Sequence, residues 1–259
     1  AQTTRNRIIC VYTDEEKQIV FMDTPGVHKP KHKLGEFMVD AAIESLKETE
    51  AVLFVVAGNE KRGPGDNFII EQLKRVKVPV FLVVNKIDTL QKEQVLEAIV
   101  SYQDAYPFAG VIPISAKNKE NLSELLNVLG EHLPEGPQYF PEDMITDQPE
   151  RLIISDIVRE KILLSTRDEI PHAIAVDVDE MKTRDDGTTY IRATIYCERD
   201  SQKGIIIGNK GALLRKIGAE ARMDIQKLLA TKVYLDLWVK VKKDWRNKSG
   251  MLSELGYKK

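Results

Sequence analysis

The tetrapeptide Asn85-Lys86-Ile87-Asp88 follows an apolar run that begins at Val78. A carboxylate at Asp88 can accept hydrogen bonds from both N1–H and the exocyclic 2-amino group of guanine, whereas adenine has no such pair of donors. Asn85 can tie the loop and reach the purine edge, while the alkyl stem of Lys86 can cover the ring. Asn and Asp are also common wherever a strand turns into a helix, so these four residues alone leave a plain turn as the alternative.

Two other apolar runs also end in polar residues. Residues 18–22 lead into Asp23-Thr24-Pro25-Gly26, and residues 110–114 lead into Ser115-Ala116-Lys117. Short apolar runs rich in β-branched residues are typical of buried strands, and ligands of parallel α/β sheets bind at the carboxyl ends of the strands. Three such strand ends in this order therefore indicate a guanine-nucleotide site.

This set of motifs resembles the GTP-binding domain of the translation-factor-related GTPases. The resemblance implies GTP/GDP and Mg²⁺ as cofactors, with Asp23 holding the metal through a water and the Gly26 amide meeting the γ-phosphate. Either Thr3 or Thr4 would supply the hydroxyl that closes on Mg²⁺, and Thr4 is preferred. Thr4, Asp23 and Gly26 are thus the predicted catalytic residues, and Thr4 and Asp23 are the predicted metal ligands.

The same resemblance completes the base pocket. Ser115 and Ala116 would line the pocket beside Asp88, and Lys117 would support the loop. The predicted nucleotide-binding residues are Thr3, Asp23, Gly26, Asn85, Lys86, Asp88, Ser115, Ala116 and Lys117.

One expected part of such a domain does not occur in the 259 residues. A phosphate-binding loop, G-x-x-x-x-G-K-[ST], cradles phosphates with backbone amides and a lysine, and no segment matches it. Residues 1–5 resemble the first switch segment, which follows that loop and the first helix. We therefore expect about 40 preceding residues in the natural protein, one strand–loop–helix unit with its connection, and poor GTP binding by the 259 residues alone.

The residue after Gly26 is a second departure from the pattern. Ras-like enzymes carry a Gln there, which orients the attacking water. This chain has Val27, whose side chain cannot form a hydrogen bond. We expect slow intrinsic hydrolysis, with the water held by backbone, by another residue or by an ion, and a partner that accelerates it.

Apolar periodicity places the motifs on alternating strands and helices. Strands are predicted at 5–12, 18–22, 51–57, 78–84 and 110–114, and helices at 34–48, 64–76, 92–106 and 122–133. The first two strands should form an antiparallel hairpin, and Asn121 with Glu124 resembles a capping box for the last helix. The alternation predicts an α/β fold over residues 1–133, a doubly wound P-loop GTPase sheet without its N-terminal strand, P-loop and first helix.

Composition excludes several classes of protein. The longest apolar runs, 51–57 and 78–84, fall far short of the ~20 residues that a membrane-spanning helix needs, so no transmembrane segment is predicted. Cys10 and Cys197 lie far apart, which argues against a disulfide framework and for a reducing cytosol. The four histidines do not suggest a metal site.

The charge changes sign along the chain. Residues 1–150 carry 16 Lys and Arg against 24 Asp and Glu, whereas residues 151–259 carry 22 against 16. An acidic half followed by a basic half suggests that the second contacts a polyanion. Four of the eleven prolines fall within 134–149, so residues 134–150 are the predicted linker between domains 1–133 and 151–259.

The second half contains a loop with the sequence Gly208-Asn209-Lys210-Gly211. The predicted order around it is α-β-β-α-α-β, with helices at 151–164 and 212–229 and strands near 174–178, 191–197 and 233–241. Glycines let a backbone approach a nucleic-acid strand closely, and the N-terminus of the next helix offers amides and a positive dipole to phosphate. A plain tight turn is the alternative for a lone Gly-x-x-Gly.

This order of elements around a Gly-x-x-Gly loop resembles an α+β type II KH domain. Such domains grip about four nucleotides of RNA. The predicted RNA-binding residues are Ile206, Ile207, Gly208, Asn209, Lys210, Gly211, Arg215 and Lys216. Ile206 and Ile207 would carry bases or belong to the core. Trp238 is out of phase with the apolar alternation of its strand; it could stack on a base, but packing under the last helix is the preferred interpretation. Trp245 lies in a basic end that contacts phosphate or only water.

Together, the two domains resemble the bacterial GTPases that assemble the small ribosomal subunit. The resemblance extends over the whole chain, including residues 140–143 in the linker and 235–241 in the last strand. It implies GTP hydrolysis coupled to binding of single-stranded RNA near the 3′ end of 16S ribosomal RNA. The expected location is the cytoplasm, on the ribosome, with peripheral association at the inner face of the cell membrane as an option.

The alternative is a non-enzymatic RNA-binding assembly scaffold with a degenerate nucleotide domain. The absence of a phosphate-binding loop from the 259 residues favours it. The intact Asp23, Gly26, Asn85 and Asp88 count against it.

Overall fold

The computed structural model describes residues 4–26, 30, 32–166 and 170–257, with the backbone alone at 171 and 172. Close contacts group these residues into two compact units. The N-terminal unit comprises residues 9–26 and 38–146, and the C-terminal unit comprises residues 4–8, 30, 32–37 and 147–257. The predicted domain boundaries at 133 and 150 stay predictions.

The elements follow the predicted order, with ends that differ by a few residues. The first are β1 (Ile8–Thr13), β2 (Gln18–Asp23), α1 (Lys33–Ser45), β3 (Val52–Ala57), α2 (Pro64–Leu73), β4 (Val80–Asn85), α3 (Lys92–Gln103), β5 (Gly110–Pro113) and α4 (Leu122–Gly130). They are followed by α5 (Glu150–Ser165), α6 (Ile170–Ala173), β6 (Ala175–Thr183), β7 (Thr189–Cys197), α7 (Asp200–Ile207), α8 (Ala212–Leu229), β8 (Val233–Val241) and α9 (Ser249–Glu254). Within the described ranges, every helix is too short or too polar to cross a bilayer.

The N-terminal unit is built on a parallel sheet of β3, β4 and β5, with β4 in the middle. Residues 80–84 of β4 are at most 2% exposed, which confirms the prediction of a strand buried on both faces. Because alternate residues of a strand point to opposite faces, Leu82 packs with residues of α2 and α3, while Phe81 and Val83 pack with residues of α4 and of β2. The sheet is therefore covered on both faces, as predicted for a doubly wound fold.

The segment predicted as a linker is bound to the hairpin of β1 and β2. The side-chain oxygen of Gln18 accepts hydrogen bonds from the N–H groups of Tyr139 at 3.0 Å and Phe140 at 2.9 Å. The N–H of Val11 donates to the carbonyl of Ile145 at 2.8 Å. Prolines interrupt regular structure in this segment, but its backbone groups still form hydrogen bonds within the N-terminal unit.

The C-terminal unit has a three-stranded sheet in the order β6-β7-β8. β6 and β7 are antiparallel, with an irregularity between Val178 and Glu180, and β7 and β8 are parallel. Helices α5 and α8 bury residues such as Ile154, Ile162 and Ile225 against one face of this sheet. The predicted α-β-β-α-α-β order is therefore present, with the short helices α6 and α9 in addition.

Three local predictions are wrong. Trp238 is 54% exposed instead of packed under the last helix, because the register of β8 places it on the face opposite α5 and α8. Trp245 is the buried tryptophan, at 0% exposure, and its Nε1–H donates to the carbonyl of Ala173 at 2.9 Å. Asn121 forms no capping box with Glu124, because Asn121 adopts a left-handed conformation and its side chain donates to the carbonyl of Pro113.

Candidate nucleotide and RNA sites

Asn85 connects the ends of the three parallel strands. Its Oδ1 accepts hydrogen bonds from the N–H groups of Lys86 at 2.7 Å and of Ala116, beyond β5, at 3.1 Å. Its backbone carbonyl accepts from the N–H of Gly58, the residue after β3, at 2.9 Å. Asn85 therefore fixes the loops beyond β3, β4 and β5 to one another.

Asp88 and Ser115 are in direct contact. Asp88 lies exposed in the 3-10 turn Ile87–Thr89, and its Oδ1 accepts a 2.7 Å hydrogen bond from the hydroxyl of Ser115. Ser115 is fully buried and also accepts from the N–H of Asn118 at 3.1 Å, so its hydroxyl has both a donor and an acceptor partner. The contact sets the direction in which the Asp88 carboxylate faces solvent.

Lys86 turns the chain from β4 into the 3-10 turn. It has a left-handed backbone with φ of 68°, which is uncommon for a residue with a Cβ, and the hydroxyl of Thr89 donates to its carbonyl at 2.8 Å. The ammonium lies 4.0 Å from a carboxylate oxygen of Glu60, an exposed ion pair that contributes little to stability. Lys86, Ala116 and Lys117 are all exposed at the rim of the same strand ends.

The predicted phosphate and metal residues occupy strand ends and loops. Asp23 is the last residue of β2 and is exposed, as is Gly26, and Thr4 lies four residues before β1. The carboxylate of Asp23 and the hydroxyl of Thr4 are oxygen donors, which Mg²⁺ prefers, so their chemistry fits the ion. Their roles stay predictions, and Thr3 and Val27 lie outside the described residues.

The second candidate site is the loop between α7 and α8. Gly208 has φ of 71° and ψ of 178°, and a Cβ there would lie 2.8 Å from the Cβ of Leu213. Gly211 has φ of 78° and open space around its missing Cβ. Gly208 is required both by its backbone conformation and by the close approach of α8, whereas Gly211 is required by conformation alone.

Cationic side chains surround this loop. Asn209, Lys210, Arg215 and Lys216 are all exposed, and a guanidinium nitrogen of Arg215 donates to the carbonyl of Lys210 at 3.0 Å. Gly211 precedes the first turn of the 18-residue helix α8, so the positive end of the helix dipole lies at the loop. The arrangement can attract and hold a phosphate backbone.

The apolar residues before the loop divide between core and surface. Ile206 is 0% exposed within the core of the C-terminal unit, so its side chain has the core role that the sequence left open and cannot carry a base. Ile207 is partly buried against the same core. Ile205 is 51% exposed, but the sequence analysis did not name it as an RNA-binding candidate. A helical period extended back to Asp200 would have placed Ile205 and Ile206 on different faces of α7.

Comparison with known protein families covers both sites. Residues 2–135 match the model described as the elongation factor Tu GTP binding domain, and residues 169–246 match the model described as a KH domain. With the geometry above, these matches define the class of the protein: a GTP-binding domain joined to a KH module.

Two solved structures are similar to this chain along nearly its whole length. Era in complex with MgGDPNP and nucleotides 1506–1542 of 16S ribosomal RNA is 41% identical, with a TM-score of 0.94, and the match covers 99% of this chain and 88% of that one. A tyrosine-to-alanine variant of Aquifex aeolicus Era bound to GDP·AlF4⁻ is also 41% identical, with a TM-score of 0.93 and the same coverage. The chain belongs to the Era family of GTPases.

Proposed function

We propose that the full-length protein hydrolyses GTP and assists assembly of the small ribosomal subunit by binding single-stranded 16S rRNA near its 3′ end. The observation that carries the proposal is the Asp88 carboxylate, fixed by Ser115 at the shared ends of parallel strands. Family membership supports it, as does the relative that binds MgGDPNP and nucleotides 1506–1542 of 16S rRNA.

Recognition of guanine follows from the chemistry of Asp88. A carboxylate only accepts hydrogen bonds, and guanine presents two adjacent donors, N1–H and the 2-amino group. Adenine would place an acceptor at N1 opposite the carboxylate, which leaves a charged group without a partner and penalises binding. Ser115 keeps the carboxylate oriented before the base arrives, which lowers the entropic cost of binding.

At the phosphate end, the proposal assigns Asp23 and Thr4 to Mg²⁺ and the Gly26 amide to the γ-phosphate. Bound Mg²⁺ would neutralise charge on the phosphates. Hydrolysis is expected to be slow without a partner, because the position of the Ras Gln is occupied by Val27.

The substitution Asp88→Asn tests the nucleotide half of the proposal in the full-length protein. The side-chain NH2 of Asn is a donor and cannot accept a hydrogen bond from guanine as the carboxylate does. Because a charge-assisted pair of hydrogen bonds is lost, GDP affinity should fall at least about tenfold. Xanthosine diphosphate, which carries a carbonyl in place of the 2-amino group, should gain affinity. Asp104→Asn, an exposed change after α3, is the control and should leave both affinities unchanged.

A non-enzymatic scaffold is the second candidate, favoured by the absence of G-x-x-x-x-G-K-[ST] from the 259 residues. The same reason predicts that the isolated 259-residue polypeptide binds GTP poorly, so the experiment needs the full-length protein. If the protein is a scaffold, neither the wild type nor the Asp88→Asn variant should bind GDP or xanthosine diphosphate.

The RNA half of the proposal is carried by the exposed loop from Gly208 to Gly211. Close backbone approach at the glycines, the N-terminus of α8 and the charge of Lys210 would grip the sugar-phosphate backbone of about four nucleotides. Arg215 and Lys216 would extend the positive surface along α8.

The substitution Lys210→Glu tests this grip. It reverses a charge in the loop without touching the core, so affinity for a single-stranded RNA should fall and the fall should shrink at high salt. Lys227→Glu is the matched control, because Lys227 is exposed near the far end of α8, about 22 Å from the start of the helix at 1.5 Å per residue. Equal losses for both variants would mean that only overall charge matters, and would contradict the loop as the binding site.

The proposal places the protein in the cytoplasm on the ribosome. Peripheral association with the inner face of the membrane, an option from the sequence, has no support from any described surface. Sedimentation with small-subunit particles but not with vesicles is the expected result.

A further inference from the structure

The outer face of the C-terminal sheet carries aromatic side chains. β7 and β8 pair in parallel with Tyr190 opposite Tyr234 and Thr194 opposite Trp238. Because alternate residues of β8 share a face, Tyr234 and Trp238 point away from the core into which Val233 and Val239 are packed. Tyr234 is 52% exposed and Trp238 is 54% exposed, which is unusual for two large aromatic residues on one strand.

Cations hold the tyrosine pair in place. The rings of Tyr190 and Tyr234 are stacked, with centroids 5.9 Å apart and planes inclined by 16°. The guanidinium of Arg184 lies 4.8 Å from one ring centroid and 4.9 Å from the other, and the ammonium of Lys182 lies 5.5 Å from that of Tyr190. These cation–π contacts give an ordered aromatic surface with positive charge beside it.

The carboxylates within this face are already engaged. Asp236 accepts hydrogen bonds from the indole N–H of Trp238 at 2.9 Å and the hydroxyl of Tyr190 at 3.3 Å. Glu180 forms ion pairs with Lys182 at 2.8 Å and Arg192 at 3.0 Å. Around the tyrosine pair the cations are Lys182, Arg184 and Arg192, against Glu180 and Asp236. At the Trp238 end of the face, Asp177 lies in the row of Thr194 and Trp238, Asp179 accepts from the hydroxyl of Thr194 at 2.7 Å, and Lys240 follows one row farther on.

We propose that this face is a second RNA-binding surface, on which unpaired bases stack on Tyr234 and Trp238 while Arg184 and Lys182 contact phosphates. The two rings are four residues apart on one strand, about 13 Å, so they can take two separate bases. Stacking on aromatic side chains beside cations is how single-stranded nucleic acid is held without sequence preference. Bases within a duplex are already stacked on each other, so the surface selects unpaired RNA.

The proposal rests on the proposed RNA-binding function of the loop from Gly208 to Gly211, and extends the RNA beyond it. Tyr, Trp and Arg are also the residues that dominate protein interfaces. Lys182, Arg184 and Arg192 lie around the tyrosine pair, and residues 151–259 carry a net positive charge; both favour a polyanion as the occupant.

The experiment compares oligouridines of two lengths. A 6-mer can fill the loop, which takes about four nucleotides, and leaves nothing to reach the sheet, whereas a 24-mer can occupy both. Tyr234→Ala combined with Trp238→Ala should weaken binding of the 24-mer at least about fivefold and leave the 6-mer within about twofold of wild type. Tyr139→Ala, at a 77% exposed tyrosine of the N-terminal unit, is the control and should change neither.

Tryptophan fluorescence supplies a direct signal. The chain has two tryptophans, and only Trp238 is exposed, so the 24-mer should quench fluorescence and the 6-mer should not. Trp238→Phe keeps an aromatic ring and should keep 24-mer affinity within about threefold while the quenching disappears.

Unchanged 24-mer affinity in the double variant would overturn the proposal and leave the face to a protein partner. An equal loss for both lengths would also overturn it, since that pattern means disturbance of the loop or the fold. Lys210→Glu, which leaves the core untouched, should weaken both lengths; if it leaves the 6-mer unaffected, the loop function has failed, which is a separate result from failure at the sheet.

Discussion

The hydroxyl of Ser115 donates a 2.7 Å hydrogen bond to Oδ1 of Asp88, a residue 27 positions earlier in the chain. Ser115 is fully buried and Asp88 is exposed, so a rigid group inside the unit orients a charged group at its surface. The strand ends of β4 and β5 thereby act as one site rather than as two loops that happen to be near each other.

Removal of this contact should weaken nucleotide binding. Ser115→Ala in the full-length protein leaves the carboxylate of Asp88 without its donor, and a hydrogen bond to a charged group contributes about 1.5–3 kcal/mol. GDP affinity measured by calorimetry should fall about tenfold or more. Ser101→Ala, an exposed serine on α3, should leave it unchanged. If Ser115→Ala binds GDP as wild type does, Asp88 does not need this orientation.

The two glycines of the RNA loop should differ in their tolerance of a side chain. Gly208→Ala would force a Cβ to within 2.8 Å of Leu213 in a backbone region that is nearly restricted to glycine, which should cost about 3 kcal/mol or more. Gly211→Ala meets no atom within 4 Å and should cost only about 1–2 kcal/mol for its left-handed conformation. Urea unfolding of both variants measures the difference, and equal costs would contradict the close approach of α8.

Asp14 should contribute to acid stability in a defined range of pH. Hydrogen bonds from the N–H groups of Glu16 and Lys17 lower the pKa of Asp14 from 3.8 to about 2. A carboxyl whose pKa is lower in the folded state stabilises the fold above its unfolded pKa, and this stabilisation is lost as the pH falls from about 4 to about 2.

Asp14→Ala should therefore be less stable than wild type at pH 7, and the difference between the two should shrink as the pH falls through that range. Urea unfolding at several pH values measures this trend. Glu15→Ala, an exposed neighbour, is the control and should run parallel to wild type. A difference that stays constant down to pH 2 would contradict the lowered pKa of Asp14.

The two tryptophans should respond oppositely to truncation. Trp245→Ala removes a fully buried ring and leaves the carbonyl of Ala173 without its donor, which should lower the free energy of unfolding by about 3–5 kcal/mol. Trp238→Ala removes an exposed ring and should cost less than about 1 kcal/mol. Similar losses for the two variants would contradict the outward position of Trp238.

The sequence by itself determined the elements and their order. The apolar run at 78–84 predicted a doubly buried strand because a helix would need a longer segment with a period of 3.6, and β4 is that strand. The three polar strand ends and the Gly-x-x-Gly loop predicted a GTP-binding domain and a KH module, because each motif depends only on residues close together in the chain.

Only the tertiary structure decided which side chains face the core. Ile205 and Ile206 are chemically the same residue, and one is 51% exposed while the other is buried. Trp238 is out of phase with the apolar alternation of its strand, but only the packing of distant elements decided that it is 54% exposed and that Trp245, whose indole N–H donates to the carbonyl of Ala173, is buried. Local periodicity separates the two faces of an element, but which face is covered is set by strand register and by helix packing between residues far apart in sequence.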